Sequence, residues 1–350
     1  MIFRGKSLRT TFLLGAGATR GAIGHVLLKR KRIRPPLDSD FFKVAKTFAS
    51  AHGTHSPESN QFQRLKRIFQ DEVPTPGLPT MEQAFSLLYT AKDFPEIYGP
   101  SRGRKPTAGT RRELEDFLKL LFSILNYVES VSTQTGYDRL ASRLERKDAI
   151  ITLNYDTTLD AALRREGWNP RTGYCIGGSA NKVTWPIQGP ATNCRLRGLQ
   201  LLKLHGSTNW WVRGTHATLQ RVFSAKPVRI SGPRSNEIGG HLRQIVPPIY
   251  GKVFAHEHWR KLWNQAFTAL VNAEALVVVG CSIISTDFHL QALIRRVAKL
   301  RKRAGNSFRL AVLVDVARVR RRWRRVFRGL LPRLREYKKF ERFLAEGLNL

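Results

Sequence analysis

Four short segments of this 350-residue chain carry residues that could do chemistry, and each follows an apolar run. In the first, Leu13 and Leu14 lead into Gly15, Ala16, Gly17, Ala18 and Thr19, a strand entering a glycine turn. Such a turn lets the backbone approach a pyrophosphate, whose oxygens accept from the N–H groups of the turn and of the next helix. The same Gly-x-Gly spacing also serves merely to pack a helix on a sheet. The second segment, Thr152, Leu153, Asn154, Tyr155 and Asp156, offers an amide and a carboxylate. Asp156 can take ribose hydroxyls or cap a helix over residues 158–165, and Asn154 can be a ligand or a turn residue. The third runs from Lys203 through Leu204 and His205 to Gly206, Ser207, Thr208 and Asn209. An imidazole at a strand end can exchange protons near neutral pH, although a lone histidine is more often structural. In the fourth, Val277, Val278 and Val279 precede Gly280, Cys281 and Ser282, with Asp287 placed to cap the helix that follows. Gly280 permits close approach, Ser282 can bond phosphate or ribose, and Cys281 reads as a small packing residue rather than a nucleophile.

Residues 10–14, 149–153, 199–204, 275–280 and 310–316 have the continuous, β-branched or leucine-rich character of strands buried on both faces. Gly15, Asn154, His205 and Gly280 stand at the ends of four of them. In open α/β sheets ligands bind beyond the carboxyl ends of the strands, so these endings are expected to converge on one crevice. The expected fold class is α/β, with a Rossmann-like, mostly parallel sheet and an inserted helical subdomain. Residues 1–41 form the first strand-helix unit and 42–146 the insertion, with helical patterns at 41–51, 81–88 and 112–131. Residues 147–316 complete the sheet, and 168–194 and 217–240 read as long loops. Between Arg318 and Arg342 twelve Lys and Arg face two Glu, with Trp323, Val326, Phe327, Leu330, Leu331 and Leu334 at helical spacing. That predicts a basic helical segment over 317–350, bent or divided at Pro332.

Sixty Lys and Arg against 26 Asp and Glu give a formal charge of +34, a field that attracts polyanions. It points to nucleic acid or an acidic protein partner, or else only to solubility, since no base-reading motif accompanies it. Three scattered cysteines, Cys175, Cys194 and Cys281, exclude a zinc ribbon and a disulfide scaffold and fit a reducing cytoplasm. No apolar run approaches the roughly 20 residues that span a bilayer, so no membrane association is expected. The basic residues Arg4, Lys6 and Arg9 before the apolar run 11–18 imitate a secretory signal, but two glycines and Arg20 fit a strand entering a turn better.

In this order the four segments resemble the sirtuin superfamily, whose Gly-Ala-Gly turn, Asn-x-Asp segment, His-Gly pair and Gly-x-Ser strand end form one NAD pocket. Within it the chain resembles the sirtuin-like, NAD-hydrolysing proteins of prokaryotic antiphage defence more than the lysine deacylases. That likeness extends to residues 36–42, 81–85 and 247–252 and covers roughly residues 10–316. The resemblance implies that Gly15, Ala16, Gly17 and Thr19 hold the pyrophosphate and that Asp40 and Phe41 lie in the segment closing over nicotinamide. Asn154 and Asp156 would contact the nicotinamide ribose and amide, His205 would be the base, and Gly280 and Ser282 would face phosphate and ribose. Asp315, ending the fifth strand, is the candidate for the adenosine ribose. Deacylases of the superfamily carry a four-cysteine zinc ribbon that this sequence cannot build, so no zinc is expected, and the defence branch usually has tyrosine where Cys281 stands. The implied activity is hydrolysis of NAD+ to nicotinamide and ADP-ribose. Alternatives are protein ADP-ribosyl transfer or deacylation in the same pocket, and a non-catalytic NAD- or nucleic-acid-binding regulator. Unregulated hydrolysis would poison the cell, which implies a trigger: assembly into a homo-oligomer, or a helicase-translocase or nucleic-acid-sensing partner.

Overall fold

The structure, a computed structural model, describes residues 8–72, 77–93, 106–175, 195–213, 237–238, 241–246, 257–283 and 287–347. The chain opens with strand β1 (Thr10–Leu14) and helix α1 (Ala16–Ile23), then a small antiparallel hairpin of β2 (Val26–Leu28) and β3 (Lys31–Ile33). A 3-10 turn at Asp38–Asp40 leads into four helices: α2 (Phe41–His52), α3 (Pro57–Glu72), α4 (Met81–Asp93) and α5 (Pro106–Val131). Helix α6 (Gly136–Ala141) returns the chain to the sheet as β4 (Ala149–Thr152), followed by α7 (Thr158–Arg165), α8 (Pro170–Gly173) and β5 (Gln200–Lys203). Three antiparallel strands, β6 (Gly206–Arg213), β7 (Glu237–Ile238) and β8 (His241–Ile245), precede α9 (Glu257–Asn272) and β9 (Ala275–Val279). The chain ends with α10 (Phe288–Arg303), β10 (Leu310–Val314), α11 (Ala317–Val326), β11 (Leu334–Tyr337) and α12 (Phe340–Glu346).

The main sheet has six parallel strands in the order β11-β10-β9-β1-β4-β5. Every residue of β1, β4, β9 and β10 is buried. Their continuous apolar runs follow from helices covering both faces, since neither side of a strand then needs a polar residue. From β1 the chain adds β4 and β5 on one side, then crosses to β9 and builds outward to β11 on the other. The strand order reverses between β1 and β9, where the loops leaving the two strands part and a crevice opens. A second apolar core lies under α2, α3, α4 and α5, with Phe42, Phe69, Phe85, Phe117 and Phe122 among its buried rings.

Five strands fall where the apolar runs predict them; β1 ends at Leu14 as expected, and the other four end one or two residues earlier because the chain already turns out of the ladder. The sixth does not. Where helical spacing predicts a basic helix as far as Arg342, α11 stops at Val326 and residues 334–337 pair in parallel with β10. The backbone decides this. Gly329 takes φ +81, a left-handed conformation that ends the helical run, and Pro332 cannot donate within a helix. Without β11, β10 would leave its outer N–H and C=O groups unpaired; instead the Ala311 N–H donates to Arg333 O at 2.8 Å and the Asp315 N–H to Tyr337 O at 3.1 Å. Helix α3 is also absent from the helical patterns read from the sequence. The expected loops at 168–194 and 217–240, and the motif at 247–252, fall largely or wholly outside the described residues.

Candidate active site

The floor of the crevice is a seam of glycines. The Gly15 N–H donates to Val279 O at 3.1 Å, Gly17 N–H to Gly280 O at 3.0 Å, and Gly280 N–H to Val314 O at 2.9 Å. A Cβ on Gly15 would stand 2.4 Å from Gly280 O, and one on Gly17 would stand 2.7 Å from Gly280 Cα. Gly280 itself has φ +56, and its Cβ would meet Ala18 N at 2.1 Å. The glycines therefore meet the packing alternative for such a turn. Their missing side chains let β1 and α1 close onto the end of β9, while the outer backbone edge lines the cavity.

Beside the seam, Thr19 Oγ1 is a hub. It donates its one hydrogen to Asp156 Oδ2 at 2.9 Å and accepts from Asn154 Nδ2 at 2.9 Å, so the Tyr137 hydroxyl, also 2.9 Å away, must be the donor in that pair. The hydroxyl is thereby saturated. Asn154 Nδ2 also donates to Gly15 O at 2.9 Å, and since a carbonyl can only accept, that contact fixes the orientation of the amide. Both amide hydrogens are spent, and Oδ1 is the group's remaining acceptor. Asp156 is buried; its Oδ1 accepts from Thr158 N–H at 3.2 Å across the turn that leads into α7, whose N-cap is Thr157 rather than Asp156. Burial pushes this carboxyl above its ordinary range, and the Lys203 ammonium opposes the shift. Lys203, itself buried, donates to Asp156 O at 2.5 Å and pairs with the buried Asp160 at 3.1 Å. Behind them Glu129 turns both carboxylate oxygens onto Thr157, accepting from its N–H at 2.9 Å and its hydroxyl at 2.6 Å. Burial and then the nearby Asp156 charge push Glu129 up to about 7.

His205 follows the neighbouring strand β5 in the position that Asn154 takes after β4. Thr152 of β4 is paired with Lys203 of β5, and Asn154 and His205 each lie two residues beyond that pair. His205 is buried, its carbonyl accepts from Val246 N–H at 2.8 Å, and its Nε2 lies 3.0 Å from Asp287 Oδ2. Tyr155 donates to Val246 O at 2.8 Å, and its phenol is pushed well up by burial and then by the charges of Tyr89, Asp287 and Asp38.

The glycine seam, Thr19, Asn154, Tyr155, Asp156, His205 and Asp287 line one cavity of about 560 Å³, within the range of small-molecule sites, and the other groups back them. Of the residues singled out from the sequence, Gly15, Ala16, Gly17, Thr19, Asn154, Asp156, His205, Gly280, Ser282 and Asp315 all line it. Asp40 and Phe41 do not. Asp40 receives both arms of Arg20, at 2.5 and 2.8 Å, while Arg20 also donates to Pro35 O; the clamp holds residues 35–39 against the cavity, and those residues line it instead. Phe41 is buried in the helical core against Phe42 and Phe117. Cys281 is buried on the wall, where burial pushes its thiol up, as suits a packing residue. Asp315 accepts from Val316 N–H at 2.6 Å, and burial raises it against the pull of Arg320 and Arg318. Sequence reading did not place Asp38, Asp287, Arg318 or Arg322 in the cavity. Asp38 lies within the 36–42 segment of the resemblance and the two arginines within the basic stretch, while Asp287 carried the signal of a helix cap, which is present: Oδ1 accepts from Leu290 N–H at 3.1 Å.

A parallel sheet whose strand-order reversal opens on a glycine seam, an amide and an imidazole is the layout of a nucleotide-handling α/β protein. A family model described as a SIR2-like domain matches residues 148–327, just over half of the chain, and the chain belongs to that family. Among solved structures it is similar to a complex of a Sir2 homologue with NAD, at 13% identity over 98% of this chain and 89% of that one, TM-score 0.42. A mutant Sir2 homologue bound to ADP-ribose is similar at 12% identity over 98% and 91%, also with TM-score 0.42. The family assignment rests on the domain match. No curated protein matches the sequence.

Proposed function

We propose that the chain hydrolyses NAD+ at the bond between nicotinamide and ribose, releasing nicotinamide and ADP-ribose, and that it acts in antiphage defence by depleting NAD. The observation that carries this reading is the placing of Asn154 and His205, at matching positions after adjacent strands, in one cavity with the glycine turn and Asp315. Solved Sir2 homologues carrying NAD or ADP-ribose are in keeping with it. The backbone of Gly15, Ala16 and Gly17 would hold the pyrophosphate, Asp315 the adenosine ribose, and Ser282 with Gly280 the phosphate or ribose between. Thr19, whose hydroxyl is saturated, would act by holding Asn154 and Asp156 in place.

As the carbon–nitrogen bond breaks, its electron pair returns to the pyridine nitrogen and positive charge builds on the ribose, as in other glycosyl hydrolysis. Asn154 Oδ1 would orient the ribose or the attacking water. Neutral His205 accepts the proton that water gives up as the new carbon–oxygen bond forms, and later releases it to solvent. The test is to incubate purified protein with NAD+, with and without DNA or RNA, and resolve the products. Nicotinamide and ADP-ribose in equal amounts support hydrolysis; label transferred to protein would replace it with ADP-ribosyl transfer, and no turnover under any condition would sink the reading.

The charge favours a nucleic-acid partner. Arg296 and Lys299 of α10 and Arg321, Arg324 and Arg325 of α11 are exposed, and Arg318 and Arg322 of the same α11 line the cavity. We infer that this face binds a phosphate backbone. Replacing Arg321, Arg324 and Arg325 with Gln should weaken nucleic-acid binding and flatten its log-log salt slope by roughly one for each phosphate no longer neutralised. An unchanged slope would leave the face to solubility, or to an acidic protein.

A further inference from the structure

The residue facing His205 lies at the head of α10, and its two oxygens do different work. Asp287 is buried; Oδ1 accepts the Leu290 N–H and so caps a 16-residue helix, while Oδ2 stands 3.0 Å from His205 Nε2. The cap fixes the carboxylate, and the positive end of the helix favours its ionised form despite burial. Nε2 and Oδ2 are at direct-contact distance, and the contacts of catalytic pairs often tighten further when substrate binds. A fixed anion beside one ring nitrogen has two effects. It keeps hydrogen on that nitrogen, leaving the lone pair on the other, and it stabilises the imidazolium once a proton has been accepted.

We propose that Asp287 is the positioning residue for His205, holding hydrogen on Nε2 so that Nδ1 is the atom that takes the proton. The other titratable or charged groups lining the same cavity are Asp38 from the 3-10 turn, Tyr155 and Asp156 after β4, Cys281 after β9, and Asp315, Arg318 and Arg322 around the start of α11. Of these, Asp287 places a carboxylate oxygen 3.0 Å from His205 Nε2. The kinetic part of this inference rests on the hydrolase reading; the tautomer and the basicity of the ring do not.

The test therefore has two arms. In the first, the intact protein with 15N-labelled histidine is titrated by NMR, and the His205 resonances are identified by their loss in His205→Gln. Asp287→Asn keeps a carbonyl oxygen to cap Leu290 and removes only the charge. Its melting temperature should stay near that of the wild type, while the His205 pKa should fall by about one unit or more. The wild-type 15N shifts should show the Nε2–H form. A His205 pKa unchanged in Asp287→Asn, or an Nδ1–H tautomer in the wild type, would overturn the proposal. Asp287→Ala loses cap and charge together, so a lower melting temperature there but not in Asp287→Asn separates the two roles. In the second arm, the acidic limb of the NAD hydrolysis pH profile should move down with the His205 pKa in Asp287→Asn. If the wild type cleaves no NAD, the hydrolase reading fails and the first arm still decides the role of Asp287.

Discussion

The two walls of the cavity are built on different principles. On one side Thr19 of α1 and Asn154 and Asp156 after β4, backed by Tyr137 of α6 and Lys203 of β5, satisfy one another almost completely, so the wall turns its bonding inward. In the other group, His205 after β5, Ser282 after β9, Asp287 at the head of α10 and Asp315 after β10 bring ionisable or hydroxyl groups to the cavity. A buried polar group stabilises only when its partners are complete, and a reacting group is useful only where some capacity is left over. The first wall is therefore a scaffold that aims one acceptor, Asn154 Oδ1, and the second is where protons can move. Changes in the scaffold should appear mainly as lost stability, and changes opposite it mainly as lost turnover.

The largest expected effect crosses that divide on purpose. Asn154→Ala and His205→Ala should each lower NAD hydrolysis by at least about a hundredfold while the protein stays folded, because each removes a positioning or proton-transfer group. Near wild-type turnover in a folded His205→Ala protein, measured by nicotinamide release, would break the comparison at its active side. Next comes the scaffold. Lys203→Met strands the Asp160 carboxylate and should cost about 3–5 kcal/mol in chemical denaturation, the scale for breaking one side of a buried pair. Adding Asp160→Asn should recover part of that loss, and a lack of coupling between the two would show that they do not act as a pair.

Thr19→Val is a smaller step at the centre of the network. It leaves Asp156, Tyr137 and Asn154 each short of a partner and should cost on the order of 2 kcal/mol, whereas Thr19→Ser should restore most of it. If stability were unchanged and only the KM for NAD rose, the hydroxyl would belong to the ligand and not to the scaffold. The smallest effect is a pH dependence. Glu129 is raised from its ordinary 4.5 to about 7, so the folded state holds its proton more tightly than the unfolded chain does. Its contribution is complete below about pH 4.5 and is lost as the pH rises through about 7. Thermal melting should decline across that window in the wild type and decline less in Glu129→Gln; parallel curves would remove Glu129 from the account.

How much of this was legible in the sequence follows from what each part packs against. Strands β1, β4, β9 and β10 announce themselves because burial on two faces favours a continuous, largely apolar run, β5 (Gln-Leu-Leu-Lys) is marked by its leucines, and the strand endings mark the cavity. Strand β11, Leu-Arg-Glu-Tyr, is an edge strand with exposed charges, and its pairing with β10 is a backbone bond that side chains do not encode. The hydroxyl of Thr19 looked like a phosphate donor because its neighbours in space, Asn154, Asp156 and Tyr137, lie far away in sequence. Asp287 read as a helix cap and is one; that its other oxygen faces His205 depends on how β5 and β9 sit in the same sheet.

The glycine seam also bears on how this sequence can vary. An oversized residue in most cores can be relieved by a smaller one beside it. At Gly15, Gly17 and Gly280 every atom that a Cβ would meet within 3.0 Å is backbone, and shortening the one side chain nearby, that of Cys281, whose Cβ would stand 3.1 Å away, would leave those clashes in place. Relief would have to come from sliding β1 against β9, which would break the bonds from Gly15 to Val279 and from Gly17 to Gly280 that form the cavity floor. In genetic terms the seam has no second-site remedy within itself. Selection for recovery of a substituted glycine there should return the original codon, where selection on the surrounding core would return compensated pairs.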